Sequence, residues 1–299
     1  MNETRSALLT GASGFIGAHL ARRLLAEGWQ VHLVLRPEAQ LDDGLSHPAL
    51  HCHRHDGSTE GLMRIVGAAR PQIVFHLASL FLAQHKPQEV EPLVRSNVLF
   101  STQLAEAMMQ HGVRLLLNTG TSWQHYEDRP YDPVCLYAAL KQAFEAVLRY
   151  YVEAGGLRVL TLKLFDTYGP GDKRPKLLHL LRKLAHSGEP LAMSPGEQLI
   201  DLVYIDDVLD AFMLGAQRLL QGEGEAMEDF GVSSGAPLPL QQLAALVGRV
   251  AGKPLAIEWG GRPYRPREVM RPWHSYRSLP GWQPRVGLEE GIRRTLDAG

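Results

Sequence analysis

Short apolar runs and stretches of helical period alternate through the first two thirds of this chain. Ser6-Ala7-Leu8-Leu9-Thr10 reads as a buried strand, and the run from Phe15 to Ala26 sets Phe15, Ile16, Leu20, Leu24 and Leu25 at helical spacing. Gly28 breaks that helix, and Gln30-Val31-His32-Leu33-Val34-Leu35 resumes as a strand closed by Arg36-Pro37. Further strands are predicted over Ala49 to His55, Ile73 to Leu77 and Leu115 to Asn118, with a helix over Val94 to Gln110. Strands as apolar as these, separated by helices, are expected where both faces of a parallel sheet are covered. The expected class is therefore α/β with a doubly wound parallel sheet. From Thr167 onward Pro and Gly become more frequent, with helices near Leu177 to His186 and Leu240 to Ala251 and turns over Pro263 to Pro272, the pattern of a smaller C-terminal lobe. The segments Leu202 to Tyr204 and Phe230 to Val232 are expected to return to the main sheet, which would make both units discontinuous.

Between the first strand and the first helix lies Gly11-Ala12-Ser13-Gly14-Phe15-Ile16-Gly17. Strand, glycine turn and helix stand in the order of a Rossmann dinucleotide fingerprint: Gly11 permits the tight turn, Gly14 the close approach of pyrophosphate, and Gly17 the close packing of the helix. Gly11, Ser13, Gly14, Phe15, Ile16 and Gly17 are thus candidate cofactor contacts, with phosphate at the helix N-terminus. Residues 1–165 plus about 201–235 are read as the dinucleotide-binding unit, and about 166–200 plus 236–299 as the substrate-binding lobe. Arg36 ends the second strand, where an acidic residue would bind the adenosine ribose and a basic one accommodates a 2′-phosphate, so NADP(H) is preferred and NAD(H) is the alternative. An ordinary surface arginine is the competing reading.

Tyr137 and Lys141 supply the chemistry. Four residues apart on a helix, they project from one face, so the ammonium can lie near the phenol and a cofactor ribose together. A fixed positive charge is expected to lower the phenol pKa from about 10 and fit Tyr137 for proton exchange. Composition adds mainly exclusions. With 299 residues, 45% hydrophobic and 21% charged, and a formal net charge of −1, the chain has no lysine-rich arm that would suggest nucleic acid. It carries no run of about 20 apolar residues to span a membrane. Cys52 and Cys135 cannot form a disulfide framework, and the expected compartment is cytoplasmic. Cys135, near Tyr137, is read as a packing residue rather than a reactive thiol. His51, His53 and His55 alternate along one strand and share a face, but no metal-site spacing supports them, and no metal is expected.

In their order, Gly11 to Gly17, Asp56, His76-Leu77-Ala78, Asn97-Val98, Tyr137 with Lys141, Tyr168-Gly169-Pro170-Gly171, Tyr204-Ile205-Asp206-Asp207-Val208 and Arg265-Pro266-Arg267-Glu268 resemble the extended short-chain dehydrogenase/reductase family over nearly the whole chain. That family acts mostly on nucleotide-sugars. The resemblance implies that Asp56 contacts the adenine, Ala78 lies beside the cofactor and Arg265 binds the substrate diphosphate. It also implies a homodimer through the helices around Asn97 to His111 and Leu136 to Glu153. The family's hydroxyl donor is Thr121 by this reading, with Ser122 its local rival, and such a donor would bond the substrate oxygen whose charge changes. Two departures matter. Ser122-Trp123 stand where sugar 4,6-dehydratases carry an acid, and Ile200 stands where many relatives place a phosphate-binding arginine. Asn118 to Thr121, Trp123 to Tyr126, Pro133-Val134, Lys163 to Pro170 and Ser194 to Asp201 resemble a subgroup of 4-keto sugar reductases of bacterial surface-polysaccharide synthesis. In that subgroup Trp123, His125 and Asp166 would line the sugar pocket, although Asp166 could equally cap a turn. The resemblance implies NADPH-dependent reduction of the 4-keto group of a nucleoside-diphosphate 6-deoxyhexose, preferably CDP-linked. A 4-epimerase retaining NAD and a non-catalytic dinucleotide-binding scaffold are the alternatives.

Overall fold

The computed structural model describes residues 5–41 and 45–297; the outermost residues of the two expected units, and residues 42–44, lie outside it. Among the described residues, β1 (Ser6–Thr10), α1 (Phe15–Ala26), β2 (Gln30–Leu35), β3 (Leu50–Arg54), α2 (Thr59–Ala69) and β4 (Ile73–His76) follow one another. Then come α3 (Val90–Val94), a π-helical turn (Arg95–Leu99), α4 (Phe100–Gln110), β5 (Leu115–Thr121), α5 (Leu136–Gly155) and β6 (Arg158–Leu164). The remainder holds β7 (Asp166–Tyr168), α6 (Leu177–Ser187), β8 (Leu191–Met193), β9 (Leu199–Ile200), β10 (Leu202–Tyr204), α7 (Ile205–Leu220), β11 (Met227–Val232), β12 (Leu238–Pro239), α8 (Leu240–Val250), β13 (Ile257–Trp259) and α9 (Leu288–Asp297).

Seven strands form one parallel sheet in the order β11-β6-β5-β4-β1-β2-β3. The alternation of side chains splits the core in two. Ala7 and Leu9 of β1 join Val31, Leu33 and Phe75 in the layer under α1 and α7, while Leu8 joins Val74 and Leu116 under α2, α4 and α5. Both faces are dry, which is why these strands read as continuous apolar runs. The doubly wound parallel sheet expected from the sequence is present, and Phe230 to Val232 joins it as part of β11.

Three expectations are corrected. Leu202 to Tyr204 does not return to the main sheet; it pairs as β10 with β7, Leu202 opposite Asp166 and Tyr204 opposite Tyr168, in a separate two-stranded sheet. The helix expected over Val94 to Gln110 is interrupted by the π turn, where buried Asn97 donates through Nδ2 to the carbonyls of Leu93 and Leu80, each at 3.0 Å. A side chain that claims a helical carbonyl disturbs the i to i−4 ladder, and here it anchors the loop leaving β4. The three histidines do not act as one set. His32 Nδ1 lies 3.0 Å from His53 Nε2 and stacks near His51, whereas His55 is buried against Phe100.

The C-terminal segment is tied to the sheet through α7. Asp207, in the first turn of that helix, accepts from the backbone N–H groups of Arg285 at 2.9 Å and Val286 at 3.1 Å, and its own carbonyl accepts from Trp282 Nε1 at 2.9 Å. Replacing Asp207 with Ala leaves two backbone donors without their acceptor. The expected loss is about 1–3 kcal/mol in urea unfolding, and an unchanged midpoint would contradict this anchoring role.

Candidate active site

The order of strands reverses at β1 and β4, and the crevice above their C-terminal ends is where an open parallel sheet receives a ligand. Two glycines set its floor. Gly11 has φ 81°, and a Cβ there would come within 2.7 Å of the Ala78 nitrogen. A Cβ on Gly17 would overlap the Gly11 carbonyl oxygen, so the helix can lie this close to the turn only without one. Gly14 donates to Gly11 O at 3.0 Å, and α1 then begins with no side-chain cap and no acidic residue in its first turn. Ser13 and Gly14 are exposed at this opening, and Phe15 and Ile16 follow half-buried. The Thr10 hydroxyl accepts from Ala78 N at 3.1 Å and bonds His76 Nδ1 at 2.9 Å, fixing Ala78 at the crevice wall. The uncapped helix end and its glycine floor fit a pyrophosphate without further cations.

Just after β3, Asp56 accepts from Ser58 N at 2.9 Å and Ser58 Oγ at 2.7 Å, and these bonds hold its carboxyl below the usual range. Ser58 in turn caps α2 through Gly61 N. Arg36 is exposed, with Nε 3.7 Å from Glu38. Arg54 supports the same loop by donating to the Arg36 and Pro37 carbonyls at 2.9 Å. These residues fit a dinucleotide's outer end, and a bound nicotinamide cofactor supplies or accepts hydride at the crevice.

α5 delivers Tyr137, Lys141 and Glu145 inward on one face, all buried. Lys141 Nζ lies 5.9 Å from the centre of the Tyr137 ring. Thr121 ends β5 in extended conformation and its Oγ1 accepts from Trp123 N at 3.3 Å, leaving its own proton to donate. Phe81 bridges the two sides, its ring 5.0 Å from Tyr137 and 5.5 Å from Trp123. One expectation about Tyr137 is reversed. Burial, with Cys135 adding to it, pushes the phenol above its ordinary value, while a hydrogen bond with Ser79 and the charge of Arg174 pull the other way. Lys141 does not lower it because burial brings the ammonium itself down from 10.5 to about 8, against the attraction of Glu145, so its charge is lost before the phenol would titrate. Cys135 is half-buried and its thiol is pushed up by burial.

Beside the phenol, Ser122, Trp123, His125, Asp166, Ile200, Arg265, Glu268 and Trp273 are among the residues lining a pocket between the sheet and the lobe. Arg265 pairs with Glu268 at 2.8 Å and lies 5.9 Å from the Trp123 ring centre; Asp166 takes Lys176 Nζ at 3.1 Å. His125 stacks on Trp273 with 3.9 Å between ring centres. Arg267 binds Asp132 and covers Tyr126, clamping the loop after β5 to the lobe. A second concavity, lined by Arg70, Pro71, Gln110 and His111, sits at the opposite, N-terminal end of β4 and β5, away from the glycine turn. Among the described residues no group of three or more His, Cys, Asp or Glu is placed to hold a metal, and no helix is long and apolar enough to cross a membrane.

Residues 7–228 match the NAD dependent epimerase/dehydratase family. The chain belongs to that family. It is therefore an NAD(P)-dependent enzyme of the extended short-chain dehydrogenase/reductase type. It is 27% identical to a UDP-glucose 4-epimerase of Mycolicibacterium smegmatis over 97% of each chain. It is 24% identical to the CDP-abequose synthase of Salmonella muenchen over 99% of this chain and 98% of the other. The crystal structure of UDP-glucose 4-epimerase from Thermotoga maritima with UDP-glucose superposes with TM-score 0.87 at 25% identity, covering 98% of each chain. That of the Thermus thermophilus enzyme with NAD does so with TM-score 0.81 at 28% identity, again over 98% of each.

The structure thus brings Gly11 to Gly17 and Ala78 to the crevice, Tyr137 and Lys141 to its inner wall, and Ser122, Trp123, Asp166 and Arg265 to the adjoining pocket. Sequence reasoning missed Ser79, Phe81, Gln124, Lys163 and Trp273, which touch these groups across the fold. Glu145 was within reach, since it continues the spacing of Tyr137 and Lys141 by four.

The buried ammonium has a consequence for stability. The unfolded chain keeps Lys141 protonated to about pH 10.5, the folded protein only to about 8, so between those values the unfolded state binds more protons and wild-type stability rises with pH. Lys141→Met should stabilise the cofactor-free protein near pH 7 by up to about 3 kcal/mol, the gain fading between pH 8 and 10.5. A constant or negative difference in urea unfolding across that range would contradict the buried charge.

Proposed function

We propose that the protein reduces the 4-keto group of a nucleoside-diphosphate 6-deoxyhexose, CDP-linked by preference, with NADPH as the hydride source. The observation that carries this reading is the placement of Tyr137 and Lys141 on one buried face of α5, with Thr121, the hydroxyl donor in this reading, ending β5 and followed by the pocket-lining Ser122 and Trp123 rather than by an acid. Without that acid, loss of water from the sugar has no proton donor at the required place, which leaves hydride chemistry at C4. The Salmonella CDP-abequose synthase, alike from end to end, supports the reductive reading and the CDP base. Arg36, exposed just after β2 and paired at 3.7 Å with the equally exposed Glu38, supports a 2′-phosphate.

In this reaction the carbonyl carbon gains hydride and its oxygen gains a proton. Tyr137 Oη holds that proton, and Thr121 Oγ1 donates a hydrogen bond to the same oxygen as negative charge grows on it. The neighbouring ammonium of Lys141 stabilises the phenolate left behind until solvent returns its proton. Phe81 packs edge-on against the Tyr137 ring with Trp123 beside it, and Arg265, partly neutralised by Glu268, faces the diphosphate. Asp166 faces a sugar hydroxyl from the pocket wall. The second reading is a 4-epimerase that retains NAD, favoured by the likeness to UDP-glucose 4-epimerases in sequence and fold.

The homodimer is also assigned to the helices around α4 and α5, which leave Val94, Leu99 and Tyr150 exposed at 38%, 43% and 65%. Tyr150→Glu is expected to convert a dimer to monomers in sedimentation, and an unaltered mass contradicts this surface. For the reaction, 4-keto-6-deoxy sugars carried on CDP, GDP, dTDP and UDP are offered with NADPH or NADH. The CDP sugar with NADPH is expected to turn over fastest, and Tyr137→Phe to lose about 100- to 10,000-fold in turnover with cofactor affinity nearly unchanged. Protein that purifies with bound NAD and oxidises no added cofactor across the panel decides for the epimerase.

A further inference from the structure

Beneath the turn that carries Thr121 lies a buried polar cluster that the reaction as written above does not use. Gln124 closes that turn: its Oε1 accepts from Thr121 N at 2.9 Å, and its Nε2 donates to Gln142 Oε1 at 2.7 Å and Glu145 Oε1 at 2.9 Å. The other oxygen of Glu145 is 3.6 Å from Lys163 Nζ on β6. Lys163 also lies 3.0 Å from His125 Nε2 and 3.3 Å from Asp229 Oδ2. Gln124, Glu145 and Lys163 are buried to 0%, 7% and 4% exposure, so both charges have been taken out of water.

A buried ion pair is a weak source of stability, because two apolar side chains of similar volume usually serve as well. Retaining one here calls for another role, and its position supplies it. Glu145 stands one helical turn beyond Lys141 and two beyond Tyr137, on the same rigid helix face. Its carboxylate is therefore fixed relative to the phenol, and through Gln124 it reaches the backbone of Thr121, which belongs to a different element.

We propose that Glu145, neutralised by Lys163, is a positioning residue that acts through Gln124 to hold Thr121 in register with Tyr137. The inference rests on the reading of Thr121 as the hydroxyl donor. It assigns Glu145 no contact with substrate or cofactor. The link is one of distance: the proton donor and the hydrogen-bond donor reach one carbonyl oxygen from different elements, and the Glu145–Gln124 bridge sets their separation.

The test uses Glu145→Leu combined with Lys163→Met, which removes the link together with both members of the ion pair, and beside it Gln124→Leu, which removes the link while leaving Glu145 to attract Lys141 and Lys163, the same losses being expected of both. Thr121 amide exchange is read by NMR on the protein alone, and kcat and KM with CDP-4-keto-6-deoxyglucose and NADPH. The double variant is expected to fold, to exchange the Thr121 amide about tenfold faster with the middle of β5 unchanged, and to lose about 10- to 100-fold in kcat at nearly constant KM. In a Thr121→Ala background the same pair of changes is expected to cost little more in kcat, because the group it positions is gone. Unchanged Thr121 exchange, full kcat, or a kcat loss that adds in full to that of Thr121→Ala overturns the proposal. Full kcat in Thr121→Ala alone overturns instead the donor assignment on which it rests, and amide exchange still decides whether Glu145 holds the turn. Should the double variant not fold, Gln124→Leu cuts the same link with both charges left paired, and the same readings apply.

Discussion

One face of α5 carries a phenol, an ammonium and a carboxyl into the interior, and burying them is the constraint around which this site is arranged. Charged groups removed from water require partners or shifted protonation. Lys141 answers by titrating near 8, and Glu145 by its bonds to Gln124 and its pairing with Lys163. Tyr137 answers by remaining a neutral phenol, held above its ordinary pKa by burial. A neutral phenol is the protonation state that a reductase needs, since the proton must be present before hydride arrives. The ammonium's contribution comes later, when negative charge appears on the phenol and a cation in a low-dielectric setting is most effective.

The parallel sheet makes this arrangement possible at little structural expense. Because its strands all run one way, the ends of β1, β4, β5 and β6 deliver Gly11, Ala78, Thr121 and Phe165–Asp166 to one edge. The glycine turn accepts a helix close against it, and Asn97 spends a helical carbonyl to anchor the loop that carries Ala78 to Phe81. The C-terminal segment covers the pocket, joined to the loop after β5 by Arg267 with Asp132 and by the stack of His125 on Trp273.

Much of this was legible along the chain, and for definite reasons. The glycine spacing, the apolar strands and the Tyr137–Lys141 pair are local patterns, each set by one turn of helix or one pleat of strand. The strand over Arg158 to Leu164 escaped notice although it alternates cleanly, as did the helices Thr59 to Ala69 and Ile205 to Leu220. The direction of the Tyr137 pKa shift was misread because spacing shows a neighbouring cation but not the loss of water around it. Phe81, Gln124, Lys163 and Trp273 reach the site from separate elements, and no local pattern announces a contact made only by folding. Leu202 to Tyr204 was sent to the wrong sheet because an apolar triplet says that a strand is buried without saying which neighbour it pairs with.

The most direct test of the central claim follows the hydrogen itself. NADPH carrying deuterium at C4 of the nicotinamide is supplied with CDP-4-keto-6-deoxyglucose, and the released sugar is examined by NMR. Reduction predicts deuterium at C4 of the product, in a single configuration, with one cofactor oxidised for each sugar released. A ketone left unreduced with no cofactor oxidised, while 4-hydroxy sugars supplied in its place are interconverted without taking up deuterium, would contradict it.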